Sequence, residues 1–508
     1  MGLQRTRFVI VFFALLCACS APKEREKKVL HLTYLDEPNS VDPRFGYEIP
    51  ANHTVKMLYE GLLRSSHGGE LLPGIAEGYE ISQDRLLYTF FLRDAFWSNG
   101  APVTAFDFVN AWKSILDPKI PTQGSSDFYP IKNAEAIVCG GLPVDSAGIV
   151  ALDNKTLQVE LEYPAPYFLE LVATSAFSPF CEKDVYNGPF QVEKWESYKQ
   201  IVLKKNPYFW NAEKVEIEKI EIAIVPDVQT QIALFEKGYS DWLGKPFAKL
   251  SLDAVPSLSL TSFPERAIYW YFLNTQKFPF DNAHIRRAFA LAVDREAIVQ
   301  HILKEGEKAA LSINPGHIFF HDSDTQEAIA EFEKGLQELE IQRADFPKIP
   351  LSFCNIETNI RIAQVVKEQW EKVLGVRVIL DPQEWTLYYD NLSNGKLLIG
   401  GLSWHARIRD PIYNLQLFSH AQDRLNMSQW EDPLFQEKLG KAKYTVDLVE
   451  REQILLEAEE ILFQHMPVIP IYFLVMSYAQ QKGIEGVYLS DMNEIDFTYA
   501  HMKIQEEE

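Results

Sequence analysis

A helical pattern that passes directly into a strand pattern limits this chain to folds in which helices pack on a sheet. From Ile362 to Leu374, apolar residues recur every three or four positions, which is the spacing of one helix face. Gly375 follows where a left-handed residue can end a helix, and alternating apolar residues continue from Val376 to Leu380. This succession predicts an α/β fold.

A second helix is predicted from its first turn. Thr104 can cap the helix, and Asp107 stands at its third position, which is a capping-box arrangement. Phe108 and Trp112 belong to the apolar stripe that follows, and aromatic residues at this spacing are predicted to lie in the core. Alternating apolar residues in segment 86–92 predict a strand in the same part of the chain.

The first residues have the pattern of an export signal. Two arginines precede an apolar run, residues 8–16, which is too short to span a bilayer. The run ends in Leu16-Cys17-Ala18-Cys19, and in bacterial lipoproteins of this pattern the last cysteine becomes the acylated N-terminus. Residues 1–18 are therefore predicted to be a lipoprotein signal peptide, Cys19 a lipid anchor and residues 19–28 a tether. A plain secretory signal with an incidental cysteine is the alternative.

Composition excludes some classes of function. The 508 residues are 47% hydrophobic, which predicts a globular chain of two to three domains. The formal net charge of −22 repels phosphate backbones, so no nucleic-acid partner is expected. The spacing of Cys139, Cys181 and Cys354 suits neither a disulfide framework nor a metal site. These cysteines are predicted to be small buried residues, with one disulfide left open.

Short motifs, none diagnostic alone, are spread from about Leu30 to Leu474. They include Met57-Leu58-Tyr59-Glu60-Gly61-Leu62-Leu63, Pro73-Gly74-Ile75-Ala76-Glu77, Trp97-Ser98-Asn99-Gly100, Asn187-Gly188-Pro189-Phe190, Lys205-Asn206-Pro207, Pro279-Phe280-Asp281 and Trp404 with Asp410-Pro411. Together and in this order they resemble the dipeptide, oligopeptide and nickel class, family 5, of extracytoplasmic solute-binding proteins.

The resemblance implies a two-lobed periplasmic-binding-protein fold of class II, with hinge-linked α/β lobes and an additional domain on the first lobe. Lobe I is expected to comprise residues 29–62, 172–266 and 468–508. The extra domain is expected at 63–171 and lobe II at 267–467. A ligand would be enclosed when the lobes close about their hinge.

Ligand-binding residues follow from the same resemblance. Two segments match positions where relatives hold the main chain of an extended peptide: Tyr47, Glu48 and Ile49 on one side, and Ser403, Trp404 and His405 on the other. Main-chain pairing gives affinity without sequence preference, because every peptide offers the same N–H and C=O groups. Trp385 and Trp404 match pocket-lining tryptophans, whereas Trp270 and Tyr129 are candidates that could equally belong to the core.

Segment 401–411 resembles a ligand-clamping segment of peptide-binding relatives with one charge reversed. Relatives carry an Asp that pairs with the peptide's α-amino group, and Arg407 occupies this position. Three explanations stay open. Arg407 binds an anionic or blocked ligand end, as in a modified cell-wall peptide; or Asp410 or Glu48 receives the ammonium group and pairs with Arg407; or Arg407 points to solvent. The first predicts that N-acetylated or acid-bearing peptides bind at least as well as free peptides.

Enzymatic and metal-binding motifs are missing from the sequence. It contains no His-Glu-x-x-His, Gly-x-Ser-x-Gly or phosphate-binding Gly-x-x-x-x-Gly-Lys pattern. We therefore expect no enzymatic activity and no cofactor. Nickel-complex-binding relatives place a His directly after the Asp-Pro pair, and Ile412 stands there, which disfavours a metal ligand.

The sequence predicts a substrate-binding lipoprotein of an ABC importer, anchored outside the cytoplasm by its N-terminal lipid. It would capture oligopeptides or modified peptides between its lobes and deliver them to a membrane permease driven by a separate ATPase. A monomer is expected. The alternatives are a surface adhesin or a peptide-handling or sensing protein on the same fold, and a relative that binds nickel or a metallophore.

Overall fold

The computed structural model describes residues 28–46, 48–66, 69–120, 122, 124–248, 250 and 258–503. The predicted signal peptide, Cys19 with most of the tether, and Tyr47 lie outside the described residues. Within them, no helix combines the length and the apolar character needed to cross a membrane.

Helices and strands alternate along the described chain. The helices are α1 (Ile49–Leu58), α2 (Ala105–Leu116), α3 (Ala134–Val138), α4 (Phe168–Leu171), α5 (Val228–Glu236), α6 (Ala283–Leu291), α7 (Arg295–Ile298), α8 (Thr325–Glu338), α9 (Glu357–Leu374), α10 (Trp385–Ser393), α11 (Ile412–Leu415), α12 (Pro433–Tyr444) and α13 (Leu448–His465). The strands are β1 (Val29–Tyr34), β2 (Leu63–Ser65), β3 (Leu71–Pro73), β4 (Ala76–Ile81), β5 (Leu87–Leu92), β6 (Ile149–Ala151), β7 (Thr156–Glu160), β8 (Phe190–Glu196), β9 (Gln200–Lys205), β10 (Lys219–Ile224), β11 (Trp242–Gly244), β12 (Thr261–Leu273), β13 (Lys308–Ala309), β14 (Ile349–Cys354), β15 (Val378–Gln383), β16 (Ile399–His405), β17 (Val468–Gln480), β18 (Ile484–Glu485), β19 (Tyr488–Ser490), β20 (Glu494–Asp496) and β21 (His501–Met502).

Three sheets of four or more strands organise these elements in the described residues. One has the order β1-β10-β9-β8, and the largest has the order β11-β17-β12-β16-β14-β15 with β13 beside β17. An antiparallel sheet with the order β4-β5-β7-β6 contacts α2 and lies within the predicted extra domain. Parallel and antiparallel pairs occur together with helices, so the predicted α/β class is confirmed. The domain boundaries stay a prediction.

The helix-to-strand succession lies where the sequence predicts it. α9 ends at Leu374, and Gly375 adopts a left-handed φ of 68° before the chain enters β15, which pairs in parallel with β14. Trp370 is completely buried on the apolar face of α9 and donates its indole N–H to Phe289 O at 2.8 Å.

The extra-domain helix α2 begins at its predicted capping box. The Asp107 side chain accepts the N–H of Thr104 at 2.7 Å. Phe108 and Trp112 are completely buried, with their rings 6.1 Å apart, which confirms their assignment to the core.

Two 13-residue strands form the centre of the large sheet. β12 pairs with β17 in antiparallel register, interrupted by irregularities after Pro264 and Tyr269. On the other side, β12 pairs with β16. Trp270 lies in β12, is completely buried and packs edge-on against Phe272 at 5.6 Å. It is therefore a core residue, which is one of the two placements that the sequence left open.

The cysteine prediction is partly wrong. Cys139, Cys181 and Cys354 are free thiols, and the first two are exposed rather than buried. Both exposed cysteines lie at the protein surface. The apolar character of a thiol does not reveal this position.

Candidate functional site

A cavity of about 630 Å³ is lined by residues of segments 126–171 and 404–443. This volume lies within the range of small-molecule pockets, roughly 300–1,000 Å³. The residues that line it include Asp127, Tyr129, Glu135, Tyr163 and Tyr167 on one side, and Trp404, Arg407, Tyr413, Asp423 and Lys443 on the other. The cavity thus combines aromatic rings with charges of both signs.

Strand β16 has one edge paired along its whole length and the other edge open over most of it. β12 pairs with β16 from Ile399 to His405. On the opposite edge, β14 pairs only at Ile399 and Gly400. Among the described residues, no other strand covers this edge beyond Gly400. The stretch from 401 to 405 can therefore add an extended ligand as a further strand.

Ser403 directs its main-chain groups toward this open edge. Ala406 donates its N–H to a carbonyl of β12 at 2.9 Å, whereas the Tyr388 hydroxyl donates to Gly401 O from the other side at 2.6 Å. Successive residues of an antiparallel strand face opposite edges. Gly401, Ser403 and His405 therefore face away from β12, toward the position that an added strand would take.

Trp404 contributes its side chain to the cavity. Its ring centroid lies 6.1 Å from that of Tyr413, with an angle of 33° between the rings. The indole N–H of Trp404 is buried without a hydrogen-bond partner among the described residues. A buried donor without a partner costs free energy, so a ligand acceptor at this position would stabilise the complex.

Arg407 reaches across the cavity to a carboxylate of the extra domain. Its Nη1 lies 2.9 Å from Asp127 Oδ2. The Arg407 side chain is 48% exposed and that of Asp127 is 16% exposed. Burial raises the pKa of the Asp127 carboxyl, although the charge of Arg407 and its hydrogen bond oppose this shift. The pairing differs from all three placements considered from the sequence, since none of them included Asp127.

Asp410 is occupied by a different arginine. Its two carboxylate oxygens accept from Arg451 Nη1 at 2.6 Å and Nη2 at 3.0 Å, and Oδ1 also accepts the N–H of Ile412 at 3.0 Å. The side chains of Asp410 and Arg451 are 9% and 6% exposed. The hypothesis that Asp410 receives a ligand ammonium group while paired with Arg407 is wrong, because this carboxylate is buried against α13.

The remaining candidates are divided by the structure. Tyr129 lines the cavity with Trp404 and Arg407. Trp385 is half exposed at the start of α10, 5.4 Å from the ring of Tyr389, and does not line the cavity. Glu48 and Ile49 are exposed, but the Glu48 carbonyl accepts the N–H of Asn52 within α1 at 2.8 Å. That carbonyl is therefore used by the helix and not offered to a peptide.

A set of ion pairs joins segment 401–411 to the C-terminal part of the chain. Asp491 accepts from Arg409 Nη2 at 2.6 Å and from Arg266 Nε at 2.8 Å. Glu170 accepts the backbone N–H of Arg409 at 2.7 Å. These contacts hold Arg409, two residues after Arg407, against segments that the predicted boundaries assign to lobe I and the extra domain.

Helix α13 supports segment 401–411 and the neighbouring helix α11 with two buried charged residues. Arg451 holds Asp410, as described above. Eight positions along the helix, Glu459 is completely buried and accepts from four donors: Ile313 N, Asn314 N, Asn314 Nδ2 and His317 Nδ1, at 3.1, 3.2, 2.9 and 2.9 Å. Asn414 in turn donates to Ile313 O at 2.9 Å, which connects this loop to α11.

The ion pair between His317 and Glu459 predicts a pH dependence of stability. The hydrogen bond to Glu459 raises the pKa of His317 above its ordinary value of 6.5. Protonated His317 therefore stabilises the fold fully below pH 6.5, and this contribution is lost as pH rises through the higher folded-state pKa. We expect the stability difference between the wild type and His317→Gln to shrink from pH 6 to pH 8. Urea unfolding at several pH values measures it, and a constant difference would contradict the assignment.

These features define a class of protein before any comparison. An open strand edge with an aromatic cavity beside it is typical of a binding protein that takes up an extended ligand. In the described residues, no group of three or more His, Cys, Asp or Glu side chains could hold a metal ion.

Comparison with known proteins gives the family. Residues 70–426 match the family described as bacterial extracellular solute-binding proteins, family 5 middle, and the chain belongs to this family. The oligopeptide-binding protein OppA of Bacillus subtilis is 34% identical over 535 residues, which cover 97% of this chain and 98% of that protein. The periplasmic murein peptide-binding protein MppA of Escherichia coli is 29% identical, with 94% of this chain and 93% of that protein covered.

A solved structure shows the same fold. The structure of Listeria monocytogenes OppA bound to peptide superposes with a TM-score of 0.74 at 25% identity, with 94% of this chain and 99% of that chain covered. The two-lobed α/β fold predicted from the sequence is thereby confirmed, and the family is one of substrate-binding proteins.

Proposed function

We propose that this protein captures peptides in an extended conformation between its lobes and delivers them to a membrane permease. The observation that carries the proposal is the open edge of β16, where Ser403 presents its main-chain groups beside a cavity of about 630 Å³. Main-chain pairing recognises the backbone shared by all peptides, while the cavity takes up chemically different end groups or side chains.

The comparisons support this proposal at the level of the family. Relatives that match over nearly the whole chain are named as peptide-binding proteins, among them OppA of B. subtilis and MppA of E. coli. Import then requires a permease and an ATPase as separate subunits. The protein binds and releases its ligand as a monomer without chemical change.

The N-terminal sequence supports a location outside the cytoplasm. Residues 1–18 would direct export, and acylation of Cys19 would hold the mature protein on a membrane surface.

A proline at Ser403 tests main-chain pairing directly. Proline removes the N–H that faces the open edge, and it leaves the hydrogen bonds between β16 and β12 intact, because residue 403 faces away from β12. Loss of one hydrogen bond of about 0.5–1.5 kcal/mol weakens peptide binding by roughly threefold to tenfold. Isothermal titration with tetra-alanine measures the change.

Ser403→Ala is the matched control, since it removes the hydroxyl but keeps the main-chain donor. It should bind tetra-alanine like the wild type. Equal affinity of the proline and alanine variants would show that peptides do not pair with this edge.

A further inference from the structure

We infer that Asp127, supplied by the extra domain, receives the ligand's α-ammonium group in this protein, with Arg407 acting as the standing counter-ion of that carboxylate. The inference rests on the proposed capture of peptides. It assigns the direction in which the peptide chain lies in the site. It also assigns a specificity residue, Asp127, that is 280 positions from Arg407 in the chain.

The position of the pair relative to β16 is the first argument. A ligand strand that follows the open edge from residue 401 to His405 arrives at the turn that carries Arg407. The Arg407 side chain extends from this turn to Asp127 at 2.9 Å. The end group of the ligand therefore meets this ion pair rather than a side-chain pocket.

The carboxylate has remaining capacity. Asp127 Oδ2 accepts from Arg407 Nη1, and the Asp127 side chain accepts no other hydrogen bond from the described residues. An ionised carboxylate has about four acceptor sites. Burial outweighs Arg407 and leaves the pKa of Asp127 raised, so a second cation close to the carboxylate would stabilise its charged form.

The surroundings favour a cation over an anion. Glu135 and Asp423 line the same cavity as Asp127, and the second cation of the cavity, Lys443, lies 4.0 Å from the centre of the Tyr163 ring. An anionic ligand end beside Arg407 would face three carboxylates in one cavity. Half of the Arg407 side chain is exposed to water, which weakens its attraction for such an anion.

Aromatic rings complete the site. Burial raises the pKa of Tyr413 to about 12, while the charge of Arg407 lowers it and that of Asp127 raises it, so the phenol lies near both charges. Trp404 lies beside Tyr413 with its ring centroid 6.1 Å away. An ammonium group at Asp127 would therefore also contact aromatic faces, which attract cations.

Matched peptides test the assignment. Tetra-alanine, N-acetyl-tetra-alanine and N-succinyl-tetra-alanine carry a positive, a neutral and a negative end on the same backbone. We expect the wild type to bind the free peptide about tenfold or more tightly than the acetylated one by isothermal titration, with the succinylated peptide weakest. Asp127→Asn should bring the free and acetylated peptides to within about threefold, whereas Asp145→Asn, at an exposed carboxylate that does not line the cavity, should keep the preference.

A double variant that exchanges the two charges controls for a folding defect of the single variant. Asp127→Arg combined with Arg407→Asp keeps one ion pair but moves the carboxylate to the other side of the cavity, so it should retain the preference for the free amine. A wild type that prefers the acetylated or succinylated peptide, or an Asp127→Asn variant that keeps the tenfold preference, would overturn the inference. Failure of all three peptides to bind the wild type would instead overturn the proposed function.

Discussion

Replacing Asp410 with alanine is expected to lower the free energy of unfolding by about 3–5 kcal/mol. The Arg451 guanidinium, 6% exposed, would lose both carboxylate oxygens that hold it at 2.6 and 3.0 Å. A buried charge without its partner is costly because water cannot replace the lost contacts. Urea unfolding at pH 7, followed by tryptophan fluorescence, measures the change.

A surface ion pair provides the matched control for this prediction. Asp145 pairs with Lys113 at 3.2 Å but is 95% exposed, so Asp145→Ala should change the stability by less than about 1 kcal/mol. The double variant Asp410→Leu/Arg451→Met should recover most of the loss, because it removes both charges and refills the space. An Asp410→Ala variant within 1 kcal/mol of the wild type would contradict the burial of this pair.

Replacing Glu459 with alanine is expected to cost at least about 3 kcal/mol, since each buried donor left without an acceptor costs about 1–3 kcal/mol. Glu459 accepts from four donors in the loop that contains Ile313 and Asn314. Asn414 of α11 donates a hydrogen bond to the same loop. Loss of the Glu459 carboxylate should therefore also loosen α11 and weaken peptide binding.

The neighbouring residue on the same helix is the control. Glu460 is exposed, and Glu460→Ala should change neither unfolding nor the titration with tetra-alanine beyond about 0.5 kcal/mol. Hydrogen exchange of segment 412–415 separates a local effect from a global one. Normal protection of this segment in a Glu459→Ala variant of unchanged stability would show that α13 does not support the ligand segment.

Local patterns gave the elements of the fold correctly. The apolar spacing before Gly375, the capping box at Thr104 and the buried Trp112 all depend on residues within a few positions of one another, and the structure agrees with each prediction. The family followed from short motifs in a fixed order, and the match over residues 70–426 confirms it.

The candidate site could be predicted only in part. Tyr129, Trp404 and Arg407 do line one cavity, as the resemblance implied. The sequence left Trp270 open between the pocket and the core, because an aromatic residue of a buried strand and one of a pocket wall have the same sequence pattern. The structure places it in the core. Asp127 was missed because the chain is rich in carboxylates, and no local pattern distinguishes the one that faces Arg407.

The sequence by itself determined the α/β class and several helices and strands, because periodicity and capping act over one or two turns of chain. The family followed from the resemblance of its short motifs. Only the tertiary structure decided which charges meet: Arg407 with Asp127, Arg451 with Asp410, and Glu459 with the loop at Asn314. Coulomb attraction and burial depend on distance in space, and folding brings together residues that are far apart in the chain, such as Arg407 and Asp127, which are 280 positions apart.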